Sequence, residues 1–475
     1  MKKKILQFIP FVFFLFILTY IAQNNSFFWD TILNASKQAH WYYENKFAYF
    51  LLPNEFDVHP PLFGMYLATT WFIFGKTLIV SHWAMLPFLI ALVWQLMRLV
   101  RNFFQPRFVF IVTLLLFADA TLLAQASIVS PDIVLVLLFF WSLNSILYRR
   151  RTELLIALIF ICLINMRGIF ALISLALFDV IYDAEKKQIA FDFLRNSFSV
   201  VIKKSLWYLP AIAILFSYLA YRYHVKGWIT LPEKNDWQES FAAVGLFGFL
   251  RNIVILVWRL VDFGRIIWWL IAFYFFVRWL KKKIVFDETV KIIFAIFILN
   301  LFVGCTYFLT HKNVTIHRYL IPSYLLFGMI ILYLICQNIH RSFVRNLFFA
   351  GIFIFLVSGN FWVYPDGIAK GWDATLAHLP YYGLRQQMLE YMQQQNIPVN
   401  ETGSSFPNVA KIKYIDLNND TRNFDEKDFA KHKYIFQSNI YNGFPKKDFT
   451  ELQLKWKVRK EFRKGFVYVK LWEKK

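Results

Sequence analysis

Residues 5–22 read ILQFIPFVFFLFILTYIA, preceded by Lys2-Lys3-Lys4 and followed by Trp29-Asp30 and then by Asp57-Val58-His59-Pro60-Pro61-Leu62. The apolar stretch carries no charge and is long enough to cross the hydrocarbon core of a bilayer as a helix. The acidic and proline-rich residues behind it then emerge at the far membrane surface, where an ionisable side chain is tolerated and available for chemistry. The basic start and apolar run also resemble a signal peptide, but no small-x-small site precedes Gln23-Asn24-Asn25. The expectation is an uncleaved first helix with its N-terminus in the cytoplasm.

Composition extends this reading to the whole chain. Of 475 residues, 58% are hydrophobic and 20% aromatic, too apolar for a soluble globular protein. The formal net charge of +22 does not point to nucleic acid, because the Lys and Arg residues fall in short clusters between apolar runs. Anionic lipid headgroups are the expected partner of these clusters. Cys162, Cys305 and Cys336 all lie inside apolar segments without metal-type spacing, so no disulfide framework is expected.

The basic clusters assign sides. With the N-terminus inside, Arg98/Arg101/Arg107, Arg149-Arg150-Arg151, Lys186-Lys187 through Lys203-Lys204, Arg278 through Lys283, and Arg341/Arg345 all belong inside as well. Spans near 83–101, 108–124, 132–148, 153–166, 168–182, 205–221, 266–280, 290–309, 320–337 and 346–363 then alternate in direction. With the first helix they make about eleven crossings. Two further apolar stretches would break the alternation. Residues 61–75 read as a juxtamembrane or re-entrant helix, and residues 247–264, with Arg251, Arg259 and Asp262 among Trp and Leu, read as a helix lying in the interface.

The sequence thus predicts an all-α polytopic membrane bundle over residues 1–363. Residues 23–82 form its first extracytoplasmic loop with juxtamembrane helices. From residue 364 to 475 the chain turns polar and carries short alternating segments at 411–415 and 466–471, with a helix over 383–395. This is expected to be a small periplasmic α/β domain, in a protein of the bacterial inner membrane.

Polar residues at the outer ends of spans form a short list. Asp30, His40, Glu44, Glu55, Asp57 and His59 lie in the first loop, Ser130-Pro131-Asp132 opens a span, and Asn165-Met166-Arg167-Gly168 joins a hairpin. His311-Lys312 and His317-Arg318-Tyr319 precede another span. Carboxylates beside Arg and Lys at a membrane boundary suit a substrate that is both anionic and lipid-anchored, such as a polyprenyl phosphate. A lipid-phosphate sugar carries its own leaving group, so one carboxylate to take the acceptor proton and cations to hold the phosphate suffice for glycosyl transfer. No P-loop, dinucleotide fingerprint or other Gly-rich phosphate cradle is present. No cofactor is assigned. A divalent metal stays open, with His40, His59, His311 and His317 as ligand candidates, though no HExxH or paired spacing accompanies them. Simpler uses exist: Asp30 as a cap for a helix starting near Thr31, Asp132 as a first-turn carboxylate, Arg167 and Arg318 reaching to headgroups.

An acidic residue soon after the first helix, Pro60-Pro61-Leu62, Phe74-Gly75, Ser130-Pro131-Asp132, Arg167-Gly168 and Arg318-Tyr319-Leu320 before Pro322 together resemble the C-class glycosyltransferase superfamily. Within it the chain is similar to the branch of protein O-mannosyltransferases and the lipid A aminoarabinose transferase. The resemblance covers residues 1–363 and implies a catalytic base at Asp30 and a second, supporting acid at Asp132. It implies substrate-binding roles for Asp57, His59, Arg167, Lys312, His317, Arg318 and Tyr319, with Arg167 and His59 standing where relatives often have Lys. The chain departs from the pattern at Thr31, where many relatives have a second acid after the first. The acceptor implied is a lipid, glycan or protein. A flippase or transporter of lipid-linked sugars is the alternative, and predicts internal repeats and midplane ionisable groups. An oligosaccharide ligase or polymerase, or a purely structural receptor, are the others.

Overall fold

In a computed structural model of the protein, residues 2–183, 188–189, 198–230, 241–313, 315–366 and 371–475 are described. The Lys186-Lys187 end of the expected inside cluster lies outside them. Every segment expected to cross the membrane is helical, and the chain is a multi-pass membrane protein. By length and apolarity, however, five helices among the described residues qualify as crossings, or seven if each of two sharply bent pairs counts as one. The expected count of eleven exceeds this because several helices are short. Pro131–Leu147, Arg151–Ile164 and Gly168–Ile181 have 17, 14 and 14 residues. Pro131–Leu147 is buried along nearly its whole length, so its surroundings are other helices and not lipid.

The two bent pairs shape the bundle. Val109–Phe117 meets Ala120–Ala126 at 75°, and Leu246–Val261 meets Ile266–Leu280 at 92°. At the first break the Asp119 carboxylate caps the new helix, accepting from the Thr121 and Leu122 amides at 2.9 and 3.1 Å. At the second, Gly264 adopts φ +81°, and a Cβ there would lie 1.9 Å from the Phe355 carbonyl oxygen, so only glycine fits the turn. Residues 247–264, expected to lie in the interface, thus include a helix that turns by nearly a right angle into the next one. Leu62–Phe74 is likewise the short helix expected after Pro60-Pro61.

The C-terminal part forms a five-stranded sheet in the order Asp425–Glu426, Thr402–Ser404, Tyr434–Ser438, Val467–Lys474, Trp456–Lys464. The first two pairings are parallel and the last two antiparallel. Pro380–Gln394 is the helix expected there. The alternating 411–415 segment, by contrast, is the short helix Ile412–Asp416, which buries Ile412 in the C-terminal core and Ile415 in the membrane core. Two cores interlock at the junction. Phe28 and Trp29 of the first loop pack in the C-terminal core with Trp372, Tyr381 and Met388, while Ile415 and Leu417 belong to the membrane core.

Candidate active site

Asp30 sits on a tight turn immediately after Trp29, which takes the left-handed φ of 54°. The turn is closed by Thr31, whose hydroxyl donates to the Phe28 carbonyl at 2.8 Å and accepts from the Phe28 amide at 2.9 Å. A π-helix, Ile32–Lys37, follows. The Asp30 carboxylate does not cap it; the backbone carbonyl of Asp30 receives the Asn34 amide at 2.8 Å. Its carboxylate is left to point at Arg318.

Arg318 lies in a single 3-10 turn, His317–Leu320, which leads into Ile321–Asn338. Each nitrogen of its guanidinium meets a different carboxylate. Nε contacts Asp132 Oδ2 at 2.8 Å, one terminal nitrogen pairs with Asp30, and the other with Asp373. Arg167 also pairs with Asp132 and stacks on the Tyr319 ring, 3.8 Å from its centroid. Asn165 steadies this corner: its side-chain amide donates to Asp132 at 3.3 Å, and its oxygen accepts the Arg167 amide at 2.9 Å. Three carboxylates face two guanidiniums, leaving one formal negative charge. Exposure separates the carboxylates, since the Asp30 side chain is 28% exposed against 8% for Asp132 and 5% for Asp373. Asp30 alone of the three is open to a substrate hydroxyl.

A cavity of about 280 Å³ adjoins the cluster, lined by Asp30, Asn34, His59, Arg167, Arg318 and Tyr319 among others. Burial, and secondarily the Arg167 charge, push the His59 imidazole down to about 3, so it is neutral at ordinary pH. Its Nδ1 is buried without a hydrogen-bond partner among the described residues.

The remaining expected site residues lie elsewhere. Asp57 is buried and turned away, pairing with Lys226 and, at 3.4 Å, with Arg222, so it fastens the first loop to Leu209–Lys226. His317 does not face the cavity; its Nε2 is 2.7 Å from Asp262 Oδ2 on the far side of the 3-10 turn. Lys312 is exposed, its backbone amide donates to the Ala242 carbonyl at 2.9 Å, and Asn313 lines the cavity in its place. The four histidines offered as metal ligands are dispersed: His40 bonds the Ser36 carbonyl at 2.9 Å and His311 stacks on Tyr307 at 4.1 Å. Among the described residues no group of three His, Cys, Asp or Glu side chains is arranged to hold a metal ion. The three clustered aspartates close on Arg318, so the residues present do not fit a divalent cation.

No family model and no curated protein sequence matches the chain. A crystal structure of ArnT from Cupriavidus metallidurans bound to undecaprenyl phosphate is similar over 98% of this chain and 97% of that one, with a TM-score of 0.50 and 11% sequence identity. The chain shares the overall fold of that protein.

Within this fold the sequence left two features unseen. Asp373 is one, although a local sign exists. Trp29-Asp30 and Trp372-Asp373 are both Trp-Asp pairs in which the indole enters the C-terminal core and the carboxylate reaches Arg318. The other is a second buried ionic network behind the first. Arg265 Nε binds Asp119 at 2.7 Å and stacks on Tyr324 at 3.7 Å, Asp262 binds His317 and the Tyr364 hydroxyl, and Arg259 contacts Tyr364 at 2.7 Å. This network ties the two helix breaks of the bundle to the 3-10 turn that carries Arg318.

Proposed function

We propose that the chain is a membrane glycosyltransferase that moves a sugar from a polyprenyl-phosphate donor to a lipid, glycan or protein acceptor at the extracytoplasmic face of the bacterial inner membrane. In this reading the N-terminus is cytoplasmic and residues 364–475 are periplasmic. The observation that carries it is the meeting of Asp30, Asp132, Arg167, Arg318 and Tyr319, from four remote segments, beside one cavity. The likeness in fold to a structure bound to undecaprenyl phosphate supports the donor class.

The acceptor oxygen attacks the anomeric carbon, the bond from that carbon to the phosphate oxygen breaks, and the polyprenyl phosphate departs with the electron pair. Asp30, the open carboxylate, takes the acceptor proton. Asp132 holds Arg167 and Arg318 in register. Arg167, stacked flat on Tyr319, is the cation offered to the donor phosphate, since every nitrogen of Arg318 is already engaged by a carboxylate. Arg318 holds the three aspartates in place.

The test is to incubate the purified protein with a panel of polyprenyl-phosphate sugars and identify the consumed donor by mass spectrometry. Asp30→Asn is expected to lower turnover by about 10²- to 10⁴-fold, the usual worth of a general base, while donor binding persists. Full activity in that variant removes the base assignment. Movement of an intact donor across the membrane without sugar transfer would instead support a flippase.

A further inference from the structure

An apolar groove of about 790 Å³ opens on the other side of the 109–126 bend from the Arg318 cluster. Asp119, Thr121 and Gln125 of that bend bond to Arg265, Ala374 and Asp373, whereas Ala118 and Leu123 turn into the groove. Its walls include Phe14 of the first helix, Phe110 and Phe117, and, from the last membrane helix, Phe353 and Phe361. The latter two are eight positions apart, so the groove follows that helix for about 12 Å. Its far end is the hairpin turn Lys464-Gly465-Phe466 of the C-terminal sheet.

We infer that this groove binds one anionic phospholipid of the surrounding leaflet, its acyl chain against the phenylalanines and its phosphate at Lys464. Two of the helices forming the wall, Lys2–Ala22 and Ser342–Phe361, read as membrane crossings, so the groove faces acyl chains and not water. Among the described residues, Lys464 supplies the one charged side chain in the lining, at the end where the membrane bundle gives way to the polar sheet. On the same hairpin Lys457 and Arg459 share Glu473, and Arg463 and Lys470 share Glu461, so four cations face two carboxylates and the hairpin is basic as a whole. Lys464 has no carboxylate partner among the described residues. A cation in that position, at the mouth of a chain-sized apolar groove, complements a lipid with a negative headgroup. The roof of the groove, Leu376 to Pro380, continues directly from Asp373. The bound lipid therefore braces the segment that delivers Asp373 to Arg318.

The test uses the full-length protein in nanodiscs doped with photoactivatable phosphatidylglycerol or, separately, photoactivatable phosphatidylcholine, with the labelled peptides mapped by mass spectrometry. Phosphatidylglycerol is expected to label residues 110–118 and 353–361 about fivefold more than phosphatidylcholine, the bias of one near-surface lysine. Lys464→Glu removes that bias, while Lys447→Glu, the same charge change on an exposed helix elsewhere, keeps it. Excess undecaprenyl phosphate leaves the labelling unchanged. Equal labelling by both lipids, a bias that survives in Lys464→Glu, or displacement by undecaprenyl phosphate would each overturn the inference, the last by making the groove a donor-tail site.

Discussion

Arg318 and Asp373 form a buried ion pair that joins the start of the Ile321–Asn338 helix to the segment leading into the C-terminal sheet. The C-terminal part of the chain thereby supplies one of three carboxylates on a single guanidinium, and the position of Arg318 depends on both ends of the sequence.

Asp373→Asn should therefore act on stability and on turnover. Losing a hydrogen bond to a charged group costs about 1.5–3 kcal/mol, and a misplacement near 1 Å at a reacting centre costs about 10²-fold in rate. Thermal unfolding in detergent and donor turnover measure the two effects. An unchanged rate would show that Asp373 does not position the site.

Arg167 and Tyr319 make a flat stack that lysine cannot reproduce. Arg167→Lys keeps the charge and is expected to weaken donor binding by about tenfold, or ~1.4 kcal/mol. Tyr319→Phe keeps the ring and should bind donor like the native protein. Direct titration with a polyprenyl phosphate decides; wild-type affinity in the lysine variant would remove Arg167 from the donor site.

His59 gives a pH signature. Its imidazole is pushed from 6.5 down to about 3, by burial first and Arg167 next, with Asp132, Arg318 and Arg222 also facing it. Between those values the unfolded chain holds the proton and the folded one does not, so this contribution to stability is fully present above 6.5 and is lost as pH falls toward 3. His59→Gln should flatten the pH dependence of unfolding within that window. The same slope in the variant would mean that another group titrates there.

Asp57 is predicted to matter for folding and not for chemistry. Asp57→Ala strips Arg222 of its carboxylate in a fully buried setting, a change that costs about 3–5 kcal/mol. The unfolding midpoint should drop while turnover per folded molecule stays constant; a selective loss of turnover would return Asp57 to the substrate site.

Much of this arrangement was legible from residue type and position. Asp30, Asp132, Arg167 and Arg318 stand at the ends of apolar segments, where an ionisable group has a polar boundary to occupy, and all four meet. His317 was misread because adjacent residues in a 3-10 turn point about 120° apart, so it and Arg318 enter different networks. The Asp119–Arg265 pair spans 146 residues and leaves no local periodic trace. Length alone counts fewer crossings than the charge pattern for a related reason: a helix surrounded by helices, such as Pro131–Leu147, need not match the thickness of the bilayer.

Phe28 and Trp29 are made early by the ribosome, yet the core that receives them includes Val467, Val469 and Leu471 from the last strand of the sheet. The loop bearing Asp30 thus gains its final shape only after that strand has been translated. A nascent chain lacking the last strand would hold the helices of the bundle while the loop that bears Asp30 still lacked the core that receives it.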